Sequence, residues 1–418
     1  MINKKNVLIL KLLYKIAIEL QFCTTINYIC IMIHRLLQQK LLEISAYYPV
    51  ITVTGPRQSG KTTLIKKVFS KLPYVLLETP DVKERAQEDP KGFLSKFPKG
   101  VILDEIQNVP ELFSFIQGIV DDNNDIKFIL SGSQNFLLLD KVTQTLAGRT
   151  AVLKLLPFSL EELKPTKFKV RNSFDYIFKG SYPRLYDKNI PVEIFYSDYI
   201  QTYVERDVRT IKNIGNLSTF NKFLQLCAGR IGQIINLDSL ATDTGVTLNT
   251  IKSWLSILEA SYIIYLLQPH HKNFNKRLVK RPKIYFYDTG LACNLLRIKS
   301  VEQLELHHMR GNLFENFILT ELLKSKLNNT QIPNFYFWRD NHGKEIDCII
   351  ETAEKLIPIE IKSSKTYNKE FFKNLNYWNK LSKSKTENAY LIYNGDDDDK
   401  LLNGNLISWN NLNKIPLE

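Results

Sequence analysis

The chain is poor in the features that mark secreted, zinc-bound and membrane-spanning proteins. Its 418 residues include 5 cysteines, at positions 23, 30, 227, 293 and 348, with no CxxC pair and no histidines at zinc spacing. Neither a disulfide framework nor a zinc site is indicated, and a reducing cytoplasm is the expected location. A long apolar run is missing as well. Residues 5–33 are rich in Leu and Ile, but Lys11, Lys15 and Glu19 interrupt them, leaving no charge-free piece as long as a membrane span. No small-residue cleavage site follows. No membrane contact is expected; residues 1–31 are read as an upstream extension, with Met32 as an alternative start that opens an amphipathic helix.

Acidic side chains are the scarcer sign. With 43 Asp and Glu against 56 Lys and Arg, the formal charge is +13, a balance that favours polyanions such as nucleic acid. The rest is the composition of folded protein, 44% hydrophobic, 24% charged and 11% aromatic. The length exceeds what one core organises, so several domains are expected.

The stretch GPRQSGKTT, Gly55, Pro56, Arg57, Gln58, Ser59, Gly60, Lys61, Thr62 and Thr63, fits G-x-x-x-x-G-K-T. Glycines let backbone N–H groups close around phosphates, a helix N-terminus favours the anion, Lys61 reaches the outer phosphates and Thr62 can ligate Mg2+. The strand-like VITVT before it and TLIKKVF after it supply the required strand, loop and helix. Next, GVILDEIQ ends an apolar strand on Asp104 and Glu105, at the sheet edge where ligands collect. Asp104 is expected to hold Mg2+ through water, and Glu105 to orient or deprotonate the attacking water. In KFILSGSQN, Ser133 stands at a strand tip where it can sense the γ-phosphate, with a plain Ser/Gly turn as the alternative. Arg149, or Arg206 or Arg209 in YVERDVRT, is a candidate trans-acting arginine finger; a surface ion pair is the competing reading.

The segments GPRQSGKTTL, VILDEIQNVPELF, FILSGSQNFLLL, LAGRTAVLKLLPFSLEEL and GSYPRLY resemble a family of prokaryotic AAA+ ATPases that carry a C-terminal domain of unknown function. These motifs run in the family's order from about Ile33 to the C-terminus. The resemblance implies ATP as ligand with Mg2+, and an oligomer of identical chains is a partner to consider.

From Thr219 the pattern turns helical. FNKFLQLCAGR, LDSLATDTG and TLNTIKSWLSILEASYII have helix-turn-helix spacing, with Asp238 and Thr247 as N-caps, Gly245 as a stop, and Leu248, Ile251, Trp254, Leu255 and Leu258 on one apolar face. Asn249, Thr250, Lys252, Ser253 and Ser256 point away from it. Two strand-like segments then bracket a loop with Lys272, Lys276, Arg277, Lys280, Arg281 and Lys283. That is a winged helix with a basic wing, suited to DNA phosphates or, alternatively, to packing on the ATPase.

Past the helix RGNLFENFILTELLKSK, with Phe314, Phe317, Ile318 and Leu322 buried, two strands carry acids. Asp347 lies in KEIDCIIE; Glu360 and Lys362 lie in LIPIEIK, where alternation puts them on one face. Two carboxylates and a lysine at one place can hold a divalent ion and activate water. The set resembles the D…ExK signature of restriction-endonuclease-like folds, which implies Glu315 on the preceding helix as a further acidic ligand. The lysine-rich KTYNKEFFKNLNYWNKLSKSK is a plausible nucleic-acid-backbone surface, and YNGDDDDKLLNGN reads as a solvated acidic turn.

The expected architecture is therefore α/β and multidomain: a P-loop ATPase core with a parallel sheet over 32–165, a helical lid or linker over 166–218, a winged helix over 219–298 and an endonuclease-like α/β domain over 299–418. The expected activity is ATP hydrolysis controlling a DNA-contacting winged helix and a metal-dependent nuclease-like domain. The alternative is a regulatory scaffold whose nuclease-like domain binds without cutting.

Overall fold

In VITVT every residue is apolar or β-branched, which suits a strand covered on both faces, and Val50–Thr54 forms β1, buried throughout. The structure, a computed structural model, describes residues 33–123, 125–133, 144–204, 217–270 and 280–417, and its main body runs from Arg35 onward. Arg206, Arg209, Lys272, Lys276 and Arg277 fall outside the described residues.

Helix α1 (Leu37–Ser45) precedes β1; α2 (Lys61–Val68), β2 (Tyr74–Leu76), β3 (Gly100–Asp104), α3 (Leu112–Asp122), β4 (Lys127–Gly132) and β5 (Thr150–Lys154) follow. The strands lie in the order β2-β3-β4-β1-β5, and every pairing is parallel. One face packs Leu103, Phe113, Ile116, Phe128 and Leu130. The other packs Ile51, Val53, Leu64 and Ile129 against Leu37 and Leu41 of α1. The expected parallel α/β core is present, with the loops after β1, β3 and β4 at one edge.

Ser159 and Glu162 form a reciprocal capping box on the short helix α4 (Leu160–Leu163). Short helices at Ser173–Lys179 and Pro183–Asp187 lead to α5 (Val192–Tyr199), which runs into a π turn at Ile200–Val204.

Three helices come next: α6 (Leu217–Ala228), α7 (Leu237–Thr244) and α8 (Leu248–Ala260). Ile251, Trp254, Leu255 and Leu258 are buried as the periodicity predicts, while Leu248 is half-buried. Thr247 caps α8 and Gly245, at φ 81°, closes α7. The cap of α7 is Asn236 instead of Asp238: its side chain accepts from the amides of Asp238 and Ser239, so the helix begins earlier than expected. An antiparallel pair, β6 (Ile264–Pro269) and β7 (Lys283–Phe286), completes this region. Bridges from Ile231 to Ile284 and Ile234 to Lys283 bring the α6–α7 connection alongside β7.

The long helix α9 (Arg310–Asn328) introduces β8 (Phe335–Arg339), β9 (Glu345–Glu351) and β10 (Leu356–Lys362), then α10 (Lys373–Ser382), β11 (Tyr390–Tyr393), β12 (Asp399–Leu401) and β13 (Gly404–Ser408). Strands β8, β9 and β10 form an antiparallel meander; β11 pairs parallel to β10 and β13 parallel to β11. Residues Asp399–Leu401 of the acidic segment form an edge strand. Asp398 accepts from the Ser408 amide at 2.7 Å and from Asn411 at 2.7 Å, so this segment is more organised than a solvated turn.

One expectation changes at a larger scale. Strand β6 pairs parallel with β8 through Gln268 with Tyr336 and Pro269 with Phe337. The hairpin expected to stand apart as a wing is thus the end of one 8-stranded sheet, β12-β13-β11-β10-β9-β8-β6-β7.

Candidate functional site

The carboxyl end of β1 turns sharply at Gly55. Its φ is +146°, and a Cβ there would lie 2.1 Å from the Leu155 carbonyl oxygen, so only glycine passes. Gly60, at φ +94°, delivers the chain into α2, whose first amides have no helical partners and face the loop. Lys61 is buried, its Nζ donating to the carbonyls of Gly55 and Pro56 at 2.9 Å each. Gln58 takes the left-handed region at φ 60° and donates through Nε2 to the Tyr203 hydroxyl at 2.8 Å. Arg57 stands over the same Tyr203 ring, 5.5 Å from its centre.

Asp104, at the end of β3, is paired in register with Ser131 of β4. Thr62 Oγ1 donates to its Oδ2 at 2.7 Å and the Tyr74 hydroxyl to the same oxygen at 2.9 Å; Ser131 Oγ donates to Oδ1. Burial first, then the Asp104 charge, raises the pKa of the Tyr74 phenol, which keeps it a donor. Glu105 follows at φ 55°. Its Oε2 accepts from Gln107 and faces the amide and hydroxyl of Ser133 at 3.4 and 3.3 Å. Lys61, Thr62, Asp104, Glu105 and Ser133 thus meet at one sheet edge. A magnesium ion prefers hard oxygen donors and shares them with phosphates; Thr62 and Asp104 are such donors, side by side at the phosphate loop, and they fit it.

Arg149 does not join them within this chain. It lies level with Val50 at the start of β1, its carbonyl accepting from the Val50 amide at 3.3 Å, on the edge opposite the phosphate loop. Its guanidinium forks onto Asp121 at 2.5 and 2.9 Å, the ion-pair reading.

Tyr74 and Ser131 escaped the sequence, and so did two residues that brace the loop. Arg35 is buried beneath the loop. Its Nη1 donates to the Ser59 carbonyl at 2.7 Å, Nη2 to the Leu156 carbonyl at 2.5 Å and Nε to Glu162 at 2.8 Å. The capping-box spacing of Ser159 and Glu162 was the available signal, but not its partner 127 residues away. Tyr262, in the left-handed region at φ 56° after α8, shares a buried hydrogen bond with Thr54, the residue before Gly55.

The C-terminal acids form a different arrangement. Asp347 Oδ2 accepts from the Ile361 amide at 2.8 Å and lies 3.8 Å from Lys362 Nζ, while Lys362 reaches Glu360 Oε1 at 2.5 Å. Asn374 of α10 donates to that oxygen at 3.3 Å. Burial, with Asp347 adding to it, pushes the Glu360 carboxyl up to about 8. Burial opposes the Lys362 ammonium, but Asp347 and Glu360 outweigh it and raise its pKa. So Asp347, Glu360 and Lys362 meet as expected.

Glu315 is committed elsewhere. The Tyr285 hydroxyl donates to its Oε1, and Lys283 Nζ stands 3.2 Å from the same atom and 2.5 Å from Glu345. Burial raises Glu315 to about 7 against the pull of Lys283. Lys283, expected on the solvated wing, is therefore a buried residue, whereas Lys280 and Arg281 are exposed. Among the described residues no three His, Cys, Asp or Glu side chains are grouped to hold a metal ion. The expected ligand set Glu315, Asp347 and Glu360 does not fit one, because Lys362 bridges Asp347 and Glu360 while Glu315 is paired with Lys283. Nor, among the described residues, is any helix long and apolar enough to cross a membrane.

Comparison with known proteins gives a type to one part of the chain. Residues 47–164 match the AAA domain family, so the chain carries a P-loop ATPase domain of the AAA type. Residues 170–302 and 310–412 match two domains of unknown function, DUF8612 and DUF4143. Uncharacterised proteins of Mycobacterium bovis and Mycobacterium tuberculosis are each 28% identical over 323 residues, spanning 76% of this chain and 71% of theirs. An uncharacterised Haemophilus influenzae protein is 22% identical over 354 residues, 77% of this chain and 84% of its own. Among solved structures, a Walker-type ATPase of Pyrococcus abyssi aligns with a TM-score of 0.45 at 18% identity, covering 64% of this chain and 96% of its own.

Proposed function

We propose that the chain is an ATP-hydrolysing switch in which the phosphate loop governs a nucleic-acid-contacting winged helix and a nuclease-like C-terminal fold. The proposed division is an ATPase core over 32–165, a helical lid over 166–218, the winged helix over 219–298 and the nuclease-like fold over 299–418, the last two sharing one sheet through β6 and β8. The observation that carries the reading is the meeting of Thr62 with Asp104 at 2.7 Å beside Lys61 and Glu105.

The loop amides between Gly55 and Thr62, with the N-terminus of α2, bind the phosphates of ATP. Lys61 exchanges the carbonyls of Gly55 and Pro56 for the outer phosphate oxygens. Thr62 and Asp104 hold Mg2+, which supplies positive charge against the phosphates. Glu105 takes a proton from water as the water attacks the terminal phosphorus and the bond to ADP breaks, releasing phosphate. Ser133, beside Glu105, keeps that carboxylate aimed and touches the γ-phosphate. Arg149 must leave Asp121 to act on the nucleotide of a second copy.

Asn249, Lys252 and Ser256 are exposed on α8, and Lys280 and Arg281 on the hairpin; these are the proposed DNA contacts. Coupling runs through the Thr54–Tyr262 bond. It also runs through Glu321 and Lys324 of α9, which bond the Leu160 amide at 2.7 Å and the Phe158 carbonyl at 2.8 Å near the end of the ATPase core.

A second reading, that the C-terminal fold binds without cutting, is favoured by the ion pair of Lys283 with Glu315. The test is ATP hydrolysis by the full chain and by Lys61→Ala, alongside incubation of DNA and RNA with Mg2+ or Mn2+. Hydrolysis that persists in Lys61→Ala removes the engine. Metal-dependent cleavage lost in Asp347→Ala and Lys362→Ala selects the cutting reading.

A further inference from the structure

The carboxylates of the C-terminal sheet already hold a cation, and another part of the chain supplies it. Lys283 opens β7, and at 1% exposure it is among the largest side chains removed from water. Its ammonium lies 2.5 Å from Glu345 and 3.2 Å from Glu315, with the Phe337 ring centre 5.5 Å away. Tyr285, two residues along the same strand face, donates to the Glu315 oxygen that Lys283 approaches. Lysine is almost never this buried unless paired, because an unpaired ammonium is strongly disfavoured out of water. On the far side of the cluster Lys362 bridges Glu360 and Asp347. Four carboxylates are thus divided between two ammonium groups, with the Arg339 guanidinium 3.1 Å from the other Glu345 oxygen, and Glu360 Oε2 stays buried without a partner.

We infer that Lys283 is the resident cation of this cluster, a tethered ammonium that excludes divalent metal while the β6–β7 hairpin remains docked on β8. This deepens the nuclease-like reading of the C-terminal fold and rests on it. A divalent ion needs several oxygen ligands turned toward one point. Lys283 turns Glu315 and Glu345 toward itself instead, leaving Asp347 and Glu360 to Lys362. The hairpin that carries Lys280 and Arg281 is, by the same contact, fastened to the acidic cluster.

The test uses the full, nucleotide-free chain in an Asp104→Asn background, which removes the magnesium ligand at the phosphate loop. Mn2+ is the probe, followed by electron paramagnetic resonance and calorimetric titration. With Lys283 present, no Mn2+ site that depends on Glu315 is expected. Lys283→Met should gain one equivalent of bound Mn2+, lost again on adding Glu315→Gln, whereas Lys283→Arg, which keeps the charge, should gain none. The inference is overturned if the chain with Lys283 binds one Mn2+ that disappears in Glu315→Gln, a result that needs no Lys283 variant to fold. It is also overturned if a folded Lys283→Met gains no site. ATP hydrolysis by the unmodified chain is measured in parallel, so loss of the switch reading and loss of this inference register separately.

Discussion

Asp104 and Asp347 are both buried aspartates in central strands, and their surroundings differ. Asp104 is met by the hydroxyls of Thr62, Tyr74 and Ser131, neutral donors that stabilise a carboxylate without cancelling its charge. Asp347 is met by a backbone amide and by Lys362, with Lys283 and Glu315 in the same cluster. An acidic site ringed by hydroxyls keeps its charge for an incoming cation; one shared out among ammonium groups has spent it. The sequence reads both as magnesium-binding aspartates, and their surroundings separate them.

The comparison can be broken first at Glu105. Glu105→Gln should slow ATP hydrolysis by roughly 10²–10⁴-fold, the usual contribution of a positioned base, while ATP binding measured by titration is retained. Arg35→Ala should come next, because it leaves Glu162 buried without its partner. Breaking such a pair costs about 3–5 kcal/mol, read by chemical denaturation, and Arg35→Lys should recover part of it. Tyr262→Phe removes one buried hydrogen bond and should cost about 1 kcal/mol while weakening the dependence of DNA affinity on nucleotide. Asp347→Asn should leave steady-state ATP hydrolysis unchanged, since the hydroxyl-ringed site does not use it. Arg149→Ala should have the smallest effect, with denaturation midpoint and monomer ATP hydrolysis alike unaltered, because its fork onto Asp121 is a surface pair.

Much of this was legible in the chain. VITVT, GPRQSGKTT and LDE are each local, so strand, loop and acidic strand end could be placed from spacing alone, and the alternation in IEIK put Glu360 and Lys362 on one face. The residues that went astray depend on distant partners. Lys283 sits among Lys280 and Arg281 in sequence and looks like one more wing cation; its burial is decided by Glu315, 32 residues on. Arg35 went unread because its acceptors at Ser59 and Leu156 are backbone carbonyls and its side-chain acceptor, Glu162, lies 127 residues on. The joining of β6 to β8 was hidden for a related reason, since a pairing of two residues leaves no periodicity across the loop and helices between them.

The coupling of the two regions is the central claim, and DNA affinity measured in different nucleotide states tests it most directly. The full chain is titrated with a labelled duplex at fixed salt in the presence of ADP and then of ATP, using Glu105→Gln so that ATP persists. The account predicts affinities that differ several-fold between the two states, with the difference abolished in Lys61→Ala. Equal affinity with ATP, with ADP and without nucleotide would contradict it.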